Sequence, residues 1–253
     1  MKKGVQSASG GCRGHWGCPP NLKIPQEWVI QGVDEGHSSN LNLNIEINME
    51  NVHIEYLAPA DTEEAVNVLV RAFSIYFEAE KELIKPIDNE RRSRLVFGLM
   101  LKHLHGTVFV AKKGDRIVGV MRIVEWPLCQ MSSLERVRYV LTFLLNMRAS
   151  AFKYLVRRIK WYRLDPKEPH WHLAPIGVIP EFQGHGIGSQ LLNGFCEYID
   201  AEGKAAYLET DREENVRLYE RFGFAVREEV VIEREHNWFM WRPPRHNLPP
   251  ASS

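Results

Sequence analysis

A glycine-rich turn between a predicted strand and a predicted helix is the stretch of this chain whose residues best suit ligand chemistry. Glycines stand at the alternate positions 184, 186 and 188. Glycine adopts left-handed backbone conformations readily, and the first turn of a helix points N–H groups and a partial positive charge outward. Phosphate oxygens bind at such helix starts. The pattern therefore predicts a site for a diphosphate-bearing ligand, although a plain tight turn would use glycine in the same way.

The spacing within this turn excludes two common nucleotide-binding motifs. A Rossmann dinucleotide turn requires a third glycine where Ser189 stands, and a P-loop requires a Lys-Ser or Lys-Thr pair that this stretch lacks. The pattern that remains is Gln-x-x-Gly-x-Gly, formed by Gln183, Gly186 and Gly188. This pattern, rather than either nucleotide motif, has to identify the ligand.

A second group of residues suited to chemistry lies on a predicted short helix further along the chain. Asn215 and Tyr219 are four positions apart, so both project from one helix face. When an amine attacks a thioester, the departing thiolate needs a proton, and a tyrosine hydroxyl can donate it. The Asn215 amide could hold an amide-bearing ligand arm. The alternative is that Tyr219 only packs the helix onto a sheet.

Two residues compete for the role of proton acceptor from the attacking amine. Glu209 ends one predicted strand, and His172 begins the strand that leads to the glycine turn. A carboxylate or an imidazole, acting directly or through water, can take such a proton. The structural alternatives are a capping or surface carboxylate for Glu209 and a core histidine for His172. The residues alone leave the choice open.

The elements that must position these groups follow from hydrophobic periodicity and turn residues. Strands are predicted near residues 52–56, 107–111, 117–123, 172–178, 205–209, 226–232 and 238–241, and helices at 95–104, 132–161, after the glycine turn, and at 213–221. Asp61 with Glu64 forms a capping-box pattern at the start of a further helix, and Thr210 with Glu213, or Asp211 with Glu214, can cap the later short helix. The order β-α-α-β-β-α-β-α-β-α-β-β indicates one mixed α/β domain.

The two motifs together resemble those of the GCN5-related N-acetyltransferase (GNAT) superfamily. Asn-x-x-x-Tyr followed by Gly-Phe stands one strand after the Gln-x-x-Gly-x-Gly turn, which is the arrangement of that superfamily. Residues 167–174, 207–210, 215–224 and 238–240 are most similar to puromycin N-acetyltransferase-like members. Position 172, an apolar aromatic residue in those members, is histidine in this chain, so the resemblance does not carry the amine substrate over.

The resemblance implies a GNAT fold, in which a mixed and mostly antiparallel sheet is flanked by helices. It implies a single domain with a helical insertion between the third and fourth strands. It also implies acetyl-CoA as cosubstrate, no metal, and direct attack of a small-molecule amine, with Tyr219 as general acid. Gly177 and Val178 would pair with the pantetheine arm. The implied cofactor-binding residues are Gly177, Val178, Gln183, Gly184, His185, Gly186, Ile187, Gly188, Ser189, Asn215 and Tyr219.

Composition restricts the remaining function classes. The 253 residues include 32 basic and 32 acidic side chains, so no net positive charge points to nucleic acid. No apolar run reaches the roughly 20 residues of a membrane span, and a cytoplasmic location is expected. The four cysteines suit reduced thiols. Cys12, His15 and Cys18 lack the spacing of a zinc site, so no bound metal is expected.

The domain organisation predicted from composition has three parts. Residues 1–50 read as a flexible extension, residues 51–243 as the acetyltransferase domain, and residues 244–253 as a disordered tail. A basic stretch at 136–163 is expected to cover the substrate cleft, with membrane contact as the alternative. A monomer or homodimer is expected. Besides the enzyme, two alternatives stay open: a non-catalytic acyl-CoA-binding regulatory module and a protein N-acetyltransferase.

Overall fold

The computed structural model describes residues 52–78, 86–130, 163–232 and 235–245, together with a few isolated positions between 131 and 162. The predicted N-terminal extension, most of the predicted helical insertion and nearly all of the predicted C-terminal tail lie outside these residues. Within them, the chain forms a seven-stranded sheet with helices packed against it.

The described helices and strands follow the predicted order along the chain. They are β1 (Val52–Tyr56), α1 (Thr62–Glu78), α2 (Pro86–His103), β2 (Thr107–Lys113), β3 (Arg116–Glu125), β4 (Trp171–Val178), α3 (Ile187–Ala201), β5 (Ala206–Thr210), α4 (Glu213–Glu220), β6 (Ala225–Ile232) and β7 (Glu235–Arg242). Short 3₁₀ turns precede α1 at Pro59–Asp61 and follow β4 at Pro180–Phe182. Among the helices that the structure describes, none is both long and apolar enough to cross a membrane.

The strands lie in the order β1-β2-β3-β4-β5-β7-β6, and every neighbouring pair is antiparallel except β4 with β5. This confirms the prediction of a mixed, mostly antiparallel sheet. The parallel pair is short: only Trp171 with Ala206 and His172 with Tyr207 are in register. Beyond these two pairs, the described parts of β4 and β5 make no further ladder, so the sheet opens between them.

Glycines allow helices to approach both faces of the sheet closely. A Cβ atom on Gly177 of β4 would lie 2.9 Å from the Cβ of Ala72 in α1. A Cβ atom on Gly119 of β3 would lie 3.2 Å from Cγ2 of Ile187 in α3. Contacts below about 3.4 Å are tighter than a packed core accepts without adjustment. Gly177 therefore has a packing role in addition to the cofactor role predicted for it.

Neither predicted capping box forms: the side chains of the first have tertiary partners instead, and the second lies ahead of the residue that caps its helix. Lys112 Nζ donates to Asp61 Oδ2 at 2.8 Å, and the backbone N–H of Ile117 donates to Glu64 Oε1 at 2.9 Å. The N-cap of α4 is Arg212, with no capping hydrogen bond from its side chain. Capping is a local preference that costs about 1 kcal/mol to forgo, which a buried strand contact can offset.

Other element bounds also differ from the predicted ones. Helix α2 begins at Pro86 rather than near residue 95, and strand β7 begins at Glu235 rather than Trp238. The extra residues are mostly polar or charged, so they carry little of the apolar periodicity on which the prediction depended.

Candidate active site

The glycine turn leaves β4 through the 3₁₀ turn and enters α3. Gly184 and Gly186 have φ angles of +78° and +80°, in the left-handed region that favours glycine. A Cβ atom on either residue would meet nothing within 4 Å, so backbone conformation and not crowding explains the glycines. Gly188 differs because it lies inside the first turn of α3. The turn thus delivers the chain to the N-terminus of a 15-residue helix, where partial positive charge favours an anion.

Side chains of the turn hold it against the end of β4. Gln183 Nε2 donates to the carbonyl oxygen of Val178 at 2.9 Å, and His185 Nδ1 donates to the Gln183 carbonyl at 2.8 Å. Ile187 is buried in the core, whereas Ser189 is half-buried. A ligand at this turn would therefore meet the backbone, and not the side chain, of Ile187.

Basic residues that the sequence analysis did not identify lie beside the turn. Lys113 Nζ and the Arg116 guanidinium lie 5.4 Å and 5.8 Å from the centre of the Phe182 ring. A hydrogen bond from its own backbone N–H, and next an ion pair with Arg71, lower the pKa of the Glu181 carboxyl. These cations lie in α1 and at the β2–β3 turn, far from the glycine turn in sequence, so no local motif indicates them. They add positive charge next to a predicted diphosphate site.

The helix that carries the predicted acid follows β5 directly. Asn215 Nδ2 donates to Thr210 Oγ1 at 3.3 Å, which ties α4 to the end of β5. Tyr219 is buried, with its ring 6.1 Å from Phe224 in an edge contact. Gly223 has a φ of +84°, and the Phe224 N–H donates to the Tyr219 carbonyl at 3.2 Å, as the predicted helix end requires. Since β4 and β5 are parallel, α4 and the glycine turn lie at the same edge of the sheet.

The two residues that competed for the base role are in contact with each other. His172 Nε2 and Glu209 Oε2 are 2.7 Å apart, and their side chains are only 12% and 6% exposed. Burial disfavours the charged imidazole, but the Glu209 carboxylate outweighs burial and raises the pKa of His172. The structure therefore brings the two together as one ion-paired unit at the point where β4 and β5 separate.

Further titratable groups that the sequence analysis left aside lie next to this pair. Cys129 Sγ lies 3.9 Å from His170 Nε2, and His170 Nδ1 donates to the Glu168 carbonyl at 2.7 Å. Burial lowers the pKa of the His170 imidazole. The Tyr207 ring lies 5.4 Å from His170 and 5.1 Å from His172. No motif could have indicated Cys129, because 41 residues separate it from His170.

Comparison with known proteins gives two kinds of likeness. A family model for the Acetyltransferase (GNAT) family matches residues 69–224. An uncharacterized N-acetyltransferase of Schizosaccharomyces pombe is 31% identical over 74 residues, which are 29% of this chain and 30% of that protein. A mycothiol acetyltransferase of Nocardiopsis dassonvillei is 34% identical over 89 residues, which are 34% of this chain and 24% of that protein. The chain thus spans less than a third of these curated relatives.

Solved structures share the fold at low sequence identity. The structure of histone acetyltransferase HPA2 and related acetyltransferase from Corynebacterium glutamicum aligns with a TM-score of 0.56 at 23% identity, covering 79% of this chain and 99% of that one. PH1933 from Pyrococcus horikoshii aligns with a TM-score of 0.50 at 22% identity, covering 78% and 100%. These likenesses show the α/β fold alone. The family model covers more than half of the sequence, and the chain therefore belongs to the GNAT family of acetyltransferases.

Proposed function

We propose that this protein transfers the acetyl group of acetyl-CoA to an amine of a small molecule by direct attack. The observation that carries the proposal is the opening of the sheet immediately after the pairing of His172 with Tyr207. The glycine turn and the Tyr219 helix both follow the carboxyl ends of the strands that border this opening. A thioester in the opening would lie between an anion-binding helix start and a proton donor.

Each part of acetyl-CoA has a proposed partner in this arrangement. The pyrophosphate binds backbone N–H groups of the turn from Gln183 to Ser189, at the positive end of α3. The pantetheine arm lies along the free edge of β4 at Gly177 and Val178, as an added strand would. The Asn215 amide holds the arm from the side of α4.

The chemical step divides between two groups. Glu209 takes a proton from the ammonium form of the substrate, while His172 holds its carboxylate in place. The neutral amine attacks the thioester carbonyl carbon, and the resulting tetrahedral intermediate breaks its carbon–sulfur bond. Tyr219 donates its proton to the departing CoA thiolate, and the proton that the newly acylated nitrogen still has to lose restores the tyrosine hydroxyl. Pairing between Glu209 and His172 supports this division, since one contact of 2.7 Å makes them a unit instead of rivals.

Acetyl-CoA affinity tests the proposal through the left-handed glycine at the helix start. An alanine at Gly186 has to adopt a φ near +80°, which costs about 1–2 kcal/mol, so affinity is expected to fall about tenfold. Gly203, which follows α3 with a φ of +62° and equally open surroundings, is the matched control. Gly203→Ala should lose similar stability without losing affinity, as isothermal titration calorimetry can measure. Absence of acetyl-CoA binding to the unaltered protein, or equal affinities in both variants, would refute the proposed cofactor site.

The proton acceptor is tested by replacing Glu209 with glutamine. We expect kcat to fall about 100-fold, near the lower end for loss of a general base, because His172 still faces the opening. Glu213→Gln is the control, since Glu213 is two-thirds exposed and pairs with Arg217 of its own helix. Turnover can be followed by release of the CoA thiol. Equal turnover in both variants would remove Glu209 from the chemical step.

The acceptor amine needs a direct search. Similarity to puromycin N-acetyltransferase-like members makes puromycin the first compound to test, within a library of small primary amines. Mass spectrometry would detect a product heavier by one acetyl group. Acetyl-CoA binding without any product across the library would favour a non-catalytic regulatory module, and acetylated proteins in a cell extract would favour a protein acceptor.

A further inference from the structure

A cluster of thiol and imidazole groups includes His172 of the Glu209–His172 pair, and its other two members have no part in the proposed acetyl transfer. It comprises Cys129, which follows β3, and His170 and His172, which lie just before and within β4. We propose that Cys129, His170 and His172 form a binding site for a thiophilic divalent transition-metal ion such as Zn²⁺. The proposal does not depend on the acetyl-transfer mechanism.

The spacing of the ligand atoms suits a tetrahedral ion. One ligand atom from each of the three residues lies within 4.8 Å of the other two. Cys129 Sγ and His170 Nε2 are 3.9 Å apart. Zinc–sulfur and zinc–nitrogen bond lengths of about 2.3 Å and 2.0–2.1 Å place two tetrahedral ligands roughly 3.6 Å apart. Cys129 and His170 therefore need to close by only a few tenths of an ångström around an ion, and His172 lies within 4.8 Å of both.

Hydrogen bonds orient both imidazoles as metal ligands are usually oriented. A carbonyl oxygen can only accept, so the 2.7 Å contact with Glu168 keeps the proton on His170 Nδ1 and leaves the Nε2 lone pair facing Cys129. His172 Nε2 faces the Glu209 carboxylate. That leaves His172 Nδ1 for the ion. Metal-binding histidines commonly use their second nitrogen in this way.

A buried phenol next to the cluster provides an independent observation. Tyr207 is 1% exposed, and its hydroxyl has no hydrogen-bond partner among the residues that the structure describes. Buried polar atoms almost always have a partner, and an orphan calls for a missing water or ion. With three protein ligands, a zinc ion keeps its fourth position for water. Such a water is a suitable partner for the Tyr207 hydroxyl, whose ring lies beside both histidines.

The type of ligand decides which ion binds. Thiolate and imidazole ligands select zinc and related transition metals over magnesium and calcium, which prefer oxygen. A second group, Asp165, His172 and Glu209, shares His172 and is richer in oxygen. An ion there would not touch sulfur, so a spectroscopic signal from a metal–thiolate bond separates the two sites.

Cobalt(II) is the probe, because a cobalt–thiolate bond gives a charge-transfer absorption band in the near ultraviolet. The full-length chain carrying Cys12→Ser and Cys18→Ser should be used, so that N-terminal cysteines cannot produce the band. After chelator treatment, we expect one Co²⁺ per chain, the charge-transfer band and its displacement by Zn²⁺. Cys129→Ser should abolish the band, whereas Cys196→Ser, at the other free cysteine of the described residues, should retain it.

A second measurement is the Zn²⁺ affinity of a variant that lacks the Glu209 carboxylate, which orients His172. Glu209→Gln should weaken Zn²⁺ binding about 10- to 100-fold while keeping the cobalt–thiolate band at saturating metal. Zn²⁺ should raise Tm of the unaltered protein and leave Tm of Cys129→Ser unchanged. Because each protein is compared with itself without metal, the test also works if Cys129→Ser lowers the stability of the fold. Absence of metal binding at micromolar concentration, a band that survives Cys129→Ser, or binding abolished by Asp165→Asn instead would overturn the proposal.

Discussion

Replacing Tyr219 with phenylalanine is expected to lower kcat for acetyl transfer about 10²- to 10⁴-fold, the range of a lost general acid. Phenylalanine keeps the ring that packs against Phe224 and loses only the hydroxyl. Without a proton, the CoA thiolate becomes a poorer leaving group, and collapse of the tetrahedral intermediate slows. Acetyl-CoA affinity should change less than about twofold, because the hydroxyl acts on the transition state and not on the bound ground state. Steady-state kinetics together with calorimetric titration would measure both quantities.

A second tyrosine distinguishes catalysis from packing. Tyr198 of α3 donates its hydroxyl to Glu202 Oε1 at 2.6 Å, away from the sheet opening. Tyr198→Phe is the matched control, because it also removes one phenol hydroxyl, and it should leave kcat unchanged. If Tyr219 only packs its helix, Tyr219→Phe would lower Tm and leave the turnover of the folded protein intact. That outcome would remove Tyr219 from the acid role.

Replacing Arg242 with methionine is expected to lower the free energy of unfolding by about 3 kcal/mol. The Arg242 side chain is 2% exposed; Nη1 and Nη2 donate to Asp200 Oδ1 and Oδ2 at 2.5 Å and 2.7 Å, and Nε donates to the Phe222 carbonyl at 2.8 Å. Loss of one partner from a buried ion pair costs about 3–5 kcal/mol. The lower value applies because Asp200 is 26% exposed and can regain water. Methionine retains most of the apolar packing of the side chain.

The control for Arg242 is an arginine whose ion pair is exposed. Arg217 pairs with Glu213 one helical turn away at 76% exposure, where solvent screens the pair. Arg217→Met should therefore leave the midpoint of urea unfolding almost unchanged. Similar losses in both variants would contradict the anchoring role of Arg242. Since the Phe222 carbonyl belongs to the turn after α4, the Arg242 variant should also loosen the helix that carries Tyr219.

The parts predicted correctly from sequence depend on local backbone chemistry. Left-handed conformations at Gly184, Gly186 and Gly223 follow from the freedom of glycine, and few other residues adopt them. Strand and helix order follows from hydrophobic periodicity, which survives in most of the elements that border the opening. These local rules suffice to predict the α/β order and the turn with its following helix.

The parts that the sequence did not reveal depend on contacts between distant segments. Pairing of His172 with Glu209 requires the register of β4 on β5, and the approach of Cys129 requires the β3–β4 pairing. Neither strand register produces a residue spacing that can be recognised in the sequence. Asp61 and Glu64 illustrate the reverse error, since a valid local capping pattern lost to strand contacts formed later in the chain. Tertiary contacts override local preferences in this way wherever a polar side chain meets a buried strand.

The short parallel ladder between β4 and β5 also affects the mechanics of the molecule. Only two paired positions join strands β1 to β4 with strands β5 to β7, so the described sheet has two parts that share a short ladder. A pantetheine arm on the free edge of β4 would continue the hydrogen bonding of β4 beyond that ladder. Bound acetyl-CoA would then restrict motion where β4 and β5 meet. A ligand that binds only the folded state adds RT ln(1 + [L]/Kd) to the stability of that state. Exchange of backbone amide hydrogens along β4 should accordingly slow when acetyl-CoA is present and recover once the product is released.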